Sequence, residues 1–458
     1  MSNDAVTRSP NPRSVAVAVL EQVARRQAYA DAALDAHLRR HPSMPPRDRA
    51  LAAQLVYGVL RWQNRLDAHL ARASSRPLGK IHPTVLTILR LAAYQILLLD
   101  RIPTRAAVHE AVEETRRRRL GHASGFVNAV LRSLARQGPD LPLPEAPAER
   151  LALRFGCPTW IVERWLDEWG EAGAERLCRA ASRGPETWLR VWGDRAEALD
   201  RLRAEGVEAG PGRYAPQAVW VRFQGQPRDL PLVREGRAVV QDQASQLVAD
   251  VLAPRPGWRV LDACAAPGLK TLQIAERVGQ GGRVLALDLH PHRARGVGEL
   301  VRGLGLPNVG VVAADAASPP AAREFDAVLV DAPCSGLGVL SRTPEAKWRR
   351  TAEKVEDLPG LQARILRGVA DLVRPGGILV YATCTTLRAE NEGVIGAFLA
   401  DRSDFRVDPP PAGDAPWARF VTAEGFLRTF PEGVGEPGPQ ALDGFFAARL
   451  RRTGGEHR

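Results

Sequence analysis

The sequence predicts a multidomain protein: an all-α helical N-terminal bundle, a small α+β linker domain and a C-terminal α/β domain. Three observations carry that prediction. Apolar residues recur at helical spacing through residues 12–137, helix-like and strand-like runs mix over 150–235, and from about 236 to 452 the two alternate regularly. With 458 residues and an ordinary 45% hydrophobic content, the chain is long enough for two or three domains with sizeable cores. The expected modules are residues 1–140, 150–235 and 236–452.

The helical reading rests first on Val15, Val19, Leu20 and Val23. The same spacing returns at Leu51, Leu55, Val56 and Leu60, and again through Leu86, Leu89, Ala93 and Leu97. Breakers separate these runs at Pro42 to Pro46, Ser74 to Gly79, and Pro103, so several helices should pack on one core. Residues 1–140 hold 22 Lys and Arg against 11 Asp and Glu, while the other 318 residues hold 41 of each. The whole net charge of +11 therefore sits in the N-terminal third. A basic module joined to a neutral one suits a polyanion held by the first and worked on by the second, and it equally suits arginine-rich helices that only solvate a surface. Arg116 to Arg119 end one helix, where cations complement the dipole and can also meet phosphate. His109, alone on that helix, reads as a packing or capping residue.

Gln137 to Pro147 carries four prolines in eleven residues and reads as a linker. Beyond it, helix-like runs around Ile161 to Trp169 and Ala172 to Ala181 precede strand-like TWLRVWG and AVWVRF. Trp188, Trp192 and Trp220 are placed to stack on bases, although tryptophans in short strands are more often core.

The C-terminal module reads as Rossmann-like, with strands ending at Asp262, Asp288, near Asp315, at Asp331 and at Thr383. Ligands of an open parallel sheet bind at the carboxyl ends of its strands, so these side chains should line one crevice. The stretch WRVLDACAAPGLKT, Trp258 to Thr271, organises the module. Small residues from Ala265 to Gly268 let backbone approach a ligand, and a helix opening near Lys270 offers free N–H groups. It is no P-loop, because Leu269 stands where a glycine must precede the lysine and Cys264 where an earlier glycine belongs. It is no dinucleotide fingerprint either, since Gly268 is the only glycine in the turn. Asp288, twenty positions after Gly268, stands where a ribose-binding carboxylate would, which implies a nucleoside ligand without an obligatory pyrophosphate. Asp262 fits a structural role.

Five cysteines, Cys157, Cys178, Cys264, Cys334 and Cys384, form no CxxC pair, so neither a disulfide scaffold nor a zinc site is expected, and no metal. The opening MSNDAVTRSPNPRS lacks a signal-peptide core and the longest near-apolar run, Leu91 to Leu99, is too short to span a bilayer. A cytoplasmic monomer without membrane contact is expected. Cys334 follows the fourth strand and Cys384 the fifth, so both thiols should reach one pocket beside Asp331.

Two resemblances sharpen these expectations. Ile102 to Arg132, with ALAAQLVYGVLRW, resembles the NusB-type RNA-binding helical domain over about the first 140 residues. VQDQASQL (Val240 to Leu247), DACAAPGLKT, DAPCSGLGVL, the pair Lys347–Trp348, YATC with AENE, and DGFFAARL (Asp443 to Leu450) resemble the motifs of the RNA 5-methylcytosine methyltransferases. With the helical front, nearly the whole chain is similar to the Sun or RsmB type, which modifies C5 of a cytosine in 16S ribosomal RNA. That similarity implies S-adenosyl-methionine as cofactor, RNA as partner, Cys384 as nucleophile, Cys334 as the thiol that assists release, Asp331 on the cytosine edge and Lys270 as the nearby cation. It also implies a cofactor site from Cys264, Ala265, Ala266, Pro267, Gly268, Leu269, Lys270, Asp288, Asp315 and Asp331, with Asp315 near the adenine amino group. Two positions depart from the family pattern: Leu269 replaces the second glycine of the usual turn, and Thr385 replaces the serine after the nucleophile. Transfer RNA as substrate, a DNA cytosine methyltransferase whose nucleophile would be Cys334, and a non-catalytic RNA-binding assembly factor remain as alternatives.

Overall fold

A computed structural model describes residues 11–26, 28–223, 225–320, 324–431 and 442–454. Most of the opening segment, residues 1–10, lies outside this range. The chain forms two compact units, one of residues 1–184 together with Leu340–Arg349, the other of Pro185–Val339 and Arg350–Arg458.

The elements run in order α1 (Pro12–Arg26), α2 (Ala30–Arg39), α3 (Pro46–Ala73), α4 (Pro83–Leu98), α5 (Thr104–Arg117), α6 (Ser124–Gln137), α7 (Pro147–Phe155) and α8 (Thr159–Ser182). There follow β1 (Thr187–Val191), α9 (Arg195–Ala204), β2 (Glu208–Pro211), β3 (Ala218–Arg222), α10 (Pro231–Arg234), β4 (Ala238–Val240), α11 (Gln243–Leu252), β5 (Arg259–Asp262), α12 (Leu269–Val278), β6 (Arg283–Asp288), α13 (Pro291–Gly303), β7 (Val309–Ala313) and β8 (Phe325–Asp331). The chain closes with α14 (Ala346–Arg349), α15 (Ala352–Glu356), α16 (Leu358–Ala370), β9 (Val373–Thr383), α17 (Glu392–Asp401), β10 (Phe405–Val407), β11 (Leu427–Arg428) and β12 (Phe446–Arg452).

In the first unit the breakers act as expected. Pro46 and Pro83 begin α3 and α4, where a missing N–H costs nothing, and the His82 ring accepts from the N–H of Thr84. Val19, Leu55, Leu89, Val127 and Leu131, one helical face each, are fully buried in one core. α8 is two helical runs joined at a kink at Gly170, which accounts for the two shorter runs legible in sequence. Leu340–Arg349 belongs to this unit, with Trp348 packed against its core. Lys347 is buried and donates to the carbonyls of Arg61 (3.1 Å) and Gly156 (3.4 Å), Trp348 Nε1 donates to that of Leu60 (2.6 Å), and Glu345 Oε1 accepts from the N–H of Ala30 (3.1 Å).

The second unit contains two sheets. The small one has order β2-β3-β1-β4 and is antiparallel throughout. β4 lies within the stretch expected to open the third module, yet it pairs with β1 and completes this small sheet. The large sheet has order β10-β12-β9-β8-β5-β6-β7, with β11 paired to β12. β5 to β9 are parallel, whereas β12 runs antiparallel between β9 and β10. The sheet is therefore mixed rather than purely parallel. Alternation along β5 sends Val260 to one face, with Leu247 and Ile274, and Leu261 to the other, with Leu366 and Phe398. Both faces are covered, as a parallel core requires. Strand order reverses between β5 and β8, the place where ligands of such sheets bind against the carboxyl ends of the strands. No helix among the described residues is long and apolar enough to cross a membrane.

Candidate active site

β5, β6, β8 and β9 end at Asp262, Asp288, Asp331 and Thr383, and β7 ends at Ala313, two residues before Asp315. The turn after β5 reverses at Gly268, whose φ of 104° lies in the left-handed region and suits glycine. The next residue, Leu269, already belongs to α12, where backbone is right-handed and no glycine is needed. The departure from the family pattern at Leu269 thus leaves the turn intact. No side chain caps the N-terminus of α12.

Lys270 points inward from the first turn of α12. Its Nζ lies 2.7 Å from Oδ2 of Asp331 and 5.3 Å from the ring centroid of Phe445. Burial opposes its charge, but Asp331, the hydrogen bond to it and the nearby Cys384 outweigh burial and raise its pKa. Its side chain is only 11% exposed, so it does not face solvent. Asp262 is fully buried and accepts from Thr271 Oγ1 at 2.6 Å. Burial pushes its carboxyl up to about 7 against the opposing Thr271 bond, with the Asp331 charge adding to the rise. Asp288 accepts from the N–H groups of His290 (3.0 Å) and Ala266 (3.3 Å), and Arg293 stands 3.7 Å away. Asp315 is exposed and accepts from the N–H of Ala317 at 2.9 Å. Burial, with Asp262 and other carboxylates around it, raises the Cys264 thiol.

The two loops after β8 and β9 bring Cys334 and Cys384 together, with sulfurs 3.3 Å apart. Their backbones meet as well, since the N–H of Gly338 donates to the Cys384 carbonyl at 3.0 Å and the N–H of Gly444 to that of Gly338 at 2.8 Å. A Cβ at Gly338 would lie 2.0 Å from the Gly444 carbonyl oxygen, so only glycine fits there. The bond to Cys384 and burial raise the Cys334 thiol well above its ordinary range, which leaves Cys334 protonated and able to donate to its neighbour. Thr385 keeps its hydroxyl in use, with Oγ1 2.7 Å from Ser335 Oγ and accepting from the N–H of Leu387.

Residues 249–451 match the family described as 16S rRNA methyltransferase RsmB/F, residues 10–136 the NusB family, and residues 157–225 the ferredoxin-like domain of RsmF/B-like methyltransferases. The probable ribosomal RNA small subunit methyltransferase B of Bacillus subtilis is 38% identical over 96% of this chain and 99% of its own length. The chain belongs to the RsmB/F family. A Synechocystis relative described in the same words is 35% identical over 96% of this chain and 99% of its own. Among solved structures, PH0851 superposes with a TM-score of 0.81 at 25% identity, covering 97% of this chain and 99% of that one. A methyltransferase homolog from Pyrococcus horikoshii gives 0.56 at 27%, covering 68% and 100%. This RsmB/F member accordingly uses S-adenosyl-methionine.

The N-terminal unit holds a second feature. α5 and α6 line a groove of about 650 Å³ with Val108 and Val112 and with Arg105, Arg116, Arg132 and Arg136. His109 also lines the groove and is exposed. The Arg116–Arg119 block is largely consumed internally: Arg116 pairs with Glu113, Arg117 with Glu114 and Glu110, and Arg118 with Glu114 and Glu21. Arg105, Arg132 and Arg136 have no carboxylate partner among the described residues. The spacing of four between the last two along α6 was a visible signal that the conspicuous four-arginine run obscured. Trp188 is fully buried, while Trp192 and Trp220 are half-buried.

Proposed function

We propose that this protein methylates C5 of a cytosine in small-subunit ribosomal RNA through a covalent bond from Cys384 to C6 of the base. The observation that carries the reading is the pair of thiols 3.3 Å apart at adjacent strand ends, beside the Lys270–Asp331 pair. Similarity to relatives described as acting on small-subunit ribosomal RNA supports the substrate.

The residues present fit the cofactor. The turn at Gly268 leaves room for close approach, the first N–H groups of α12 carry no side-chain cap, and exposed Leu289 (58%) follows the Asp288 carboxylate. In this reading the backbone from Cys264 to Lys270 holds the methionine portion, Asp288 accepts from the ribose hydroxyls and Asp315 meets the adenine amino group. Bound S-adenosyl-methionine supplies an electrophilic methyl group.

Cytosine C5 is too weak a nucleophile until its ring gains electrons, and the Cys384 thiolate supplies them by adding to C6. Lys270 stabilises the negative sulfur from its buried position. Asp331 has one oxygen bound to Lys270 and its other free of hydrogen bonds among the described residues, available to the base edge. After C5 has bonded the methyl carbon, the C5 proton leaves to a base and the electron pair of that C–H bond re-forms the ring double bond as the C6–S bond breaks. Cys334, held as a neutral thiol beside the departing sulfur, assists this elimination. The base must be out of its stack to reach both faces.

Incubating the full-length protein with methyl-labelled S-adenosyl-methionine and unmethylated small-subunit RNA tests the reading. Label should appear in 5-methylcytosine after nuclease digestion. Label in transfer RNA alone would reassign the substrate, and RNA binding without label in any nucleoside would favour an assembly factor.

A further inference from the structure

Glu390 and Asn391, the centre of the AENE motif, are fully buried, yet neither reaches the thiols directly. A buried carboxyl and a buried amide are costly unless their bonds repay the desolvation, so where those bonds go is informative. Glu390 Oε2 accepts from the N–H of Ser335 at 2.8 Å and from Nε2 of Gln362 at 2.9 Å. The same Gln362 nitrogen donates to the carbonyl of Pro333 at 3.0 Å. Both neighbours of Cys334 are thereby held, one by Glu390 and the other through Gln362.

Asn391 does the same for the other thiol. Its Oδ1 accepts from Thr383 Oγ1 at 2.6 Å, and its Nδ2 donates to the carbonyl of Thr385 at 3.1 Å. These are the two neighbours of Cys384. The loops are then joined by the Ser335–Thr385 hydroxyl contact, and Tyr381 anchors the motif by donating to the Glu390 carbonyl at 2.6 Å. Two consecutive residues thus hold the flanks of two cysteines 50 positions apart in the chain.

We propose that Glu390 and Asn391 are positioning residues that set the spacing between the Cys334 and Cys384 sulfurs. The inference rests on the reading of these thiols as the reacting pair. An adjacent-residue clamp suits two loops from different strands, because one short segment cannot move one thiol without carrying the other. Burial favours a neutral Glu390 carboxyl while the bonds from Ser335 and Gln362 oppose that, so an uncharged amide should replace it tolerably.

The test uses the full-length protein and two readouts. A trivalent phenylarsenical captures only thiols close enough for both to bond one arsenic, and proteolysis with mass measurement maps the capture to the peptides bearing Cys334 and Cys384. Steady-state methylation separates kcat from the KM for S-adenosyl-methionine. Glu390→Ala should lose arsenical capture at this pair and lower kcat by about 10²-fold, the scale of a misplacement near 1 Å, with the cofactor KM unchanged. Glu390→Gln, which still offers an oxygen to the Ser335 N–H, should restore capture and most of kcat. Gln362→Met, which removes the tie to Pro333 without emptying the core, covers the case in which Glu390→Ala does not fold, and should also lose capture. Wild-type capture and kcat in Glu390→Ala or Gln362→Met overturn the proposal, as does equal loss in Glu390→Gln and Glu390→Ala. If the wild-type protein methylates nothing while capture still depends on Glu390, the spacing role stands and the methylation chemistry falls.

Discussion

Nζ of Lys270 stands 2.7 Å from Oδ2 of Asp331, which ties the first turn of α12 to the last residue of β8. A buried pair whose members hold one another should act as a unit. Lys270→Met and Asp331→Asn should each slow single-turnover methyl transfer, and the double variant should be no slower than the worse single one. Effects that multiply would mean that the two side chains serve separate steps.

The thiols should separate by the kind of failure they produce. Cys384→Ala should abolish methyl transfer and form no adduct, because the ring is never activated. Cys334→Ala should let a protein–RNA adduct accumulate, visible as a shifted band in denaturing gels and dependent on S-adenosyl-methionine. An adduct confined to Cys384→Ala would make Cys334 the nucleophile.

Asp262 should make stability depend on pH. Its folded pKa of about 7 lies above the ordinary aspartate value of 3.8, so the folded state holds the proton longer than the unfolded one. The contribution is fully present below the unfolded value and is lost as pH rises through about 7. Asp262→Asn, which can still accept from Thr271, removes that loss, a matter of a few kcal/mol in order of magnitude. Thermal unfolding between pH 5 and about 8 should therefore show the wild type losing ground to the variant as pH rises, in the range set by the shifted carboxyl. Parallel curves would exclude Asp262 as the source.

The groove arginines should account for much of the salt dependence of RNA binding. Each phosphate no longer neutralised by a cation lowers the slope of log affinity against log salt by about 0.7–0.9, so replacing Arg105, Arg132 and Arg136 by Ala should flatten it by about 2–3. Cofactor binding should not change. An unaltered slope would assign the groove to something other than RNA.

The strand ends at Asp262, Asp288, Asp331 and Thr383 were legible because each closes a run of buried apolar residues with the first polar one. β12 was not. Asp443 to Leu450 was recognisable as a motif, but Phe446–Arg452 ends in basic residues and owes its place to antiparallel pairing with β9, which no local pattern encodes. The thiols, Lys270 and Asp331 could be named from motifs, whereas the work of Glu390 and Asn391 lies in bonds to loops far away in sequence. The effects of Leu269 and Thr385 also needed coordinates: one depends on where α12 begins, the other on a hydroxyl partner 50 residues away. The pairing of the arginine run was not legible for the same reason, since its acidic partners, Glu21 among them, come partly from another helix.

Leu340–Arg349 counts with the N-terminal unit although residues on both sides of it belong to the other. The protein is therefore stitched and cannot be cut into modules at one junction. Removing the N-terminal residues would leave Lys347 without the Arg61 and Gly156 carbonyls that receive its ammonium, and Trp348 without that of Leu60. Exchanging helical domains between relatives would likewise require transplanting this ten-residue patch with its parent.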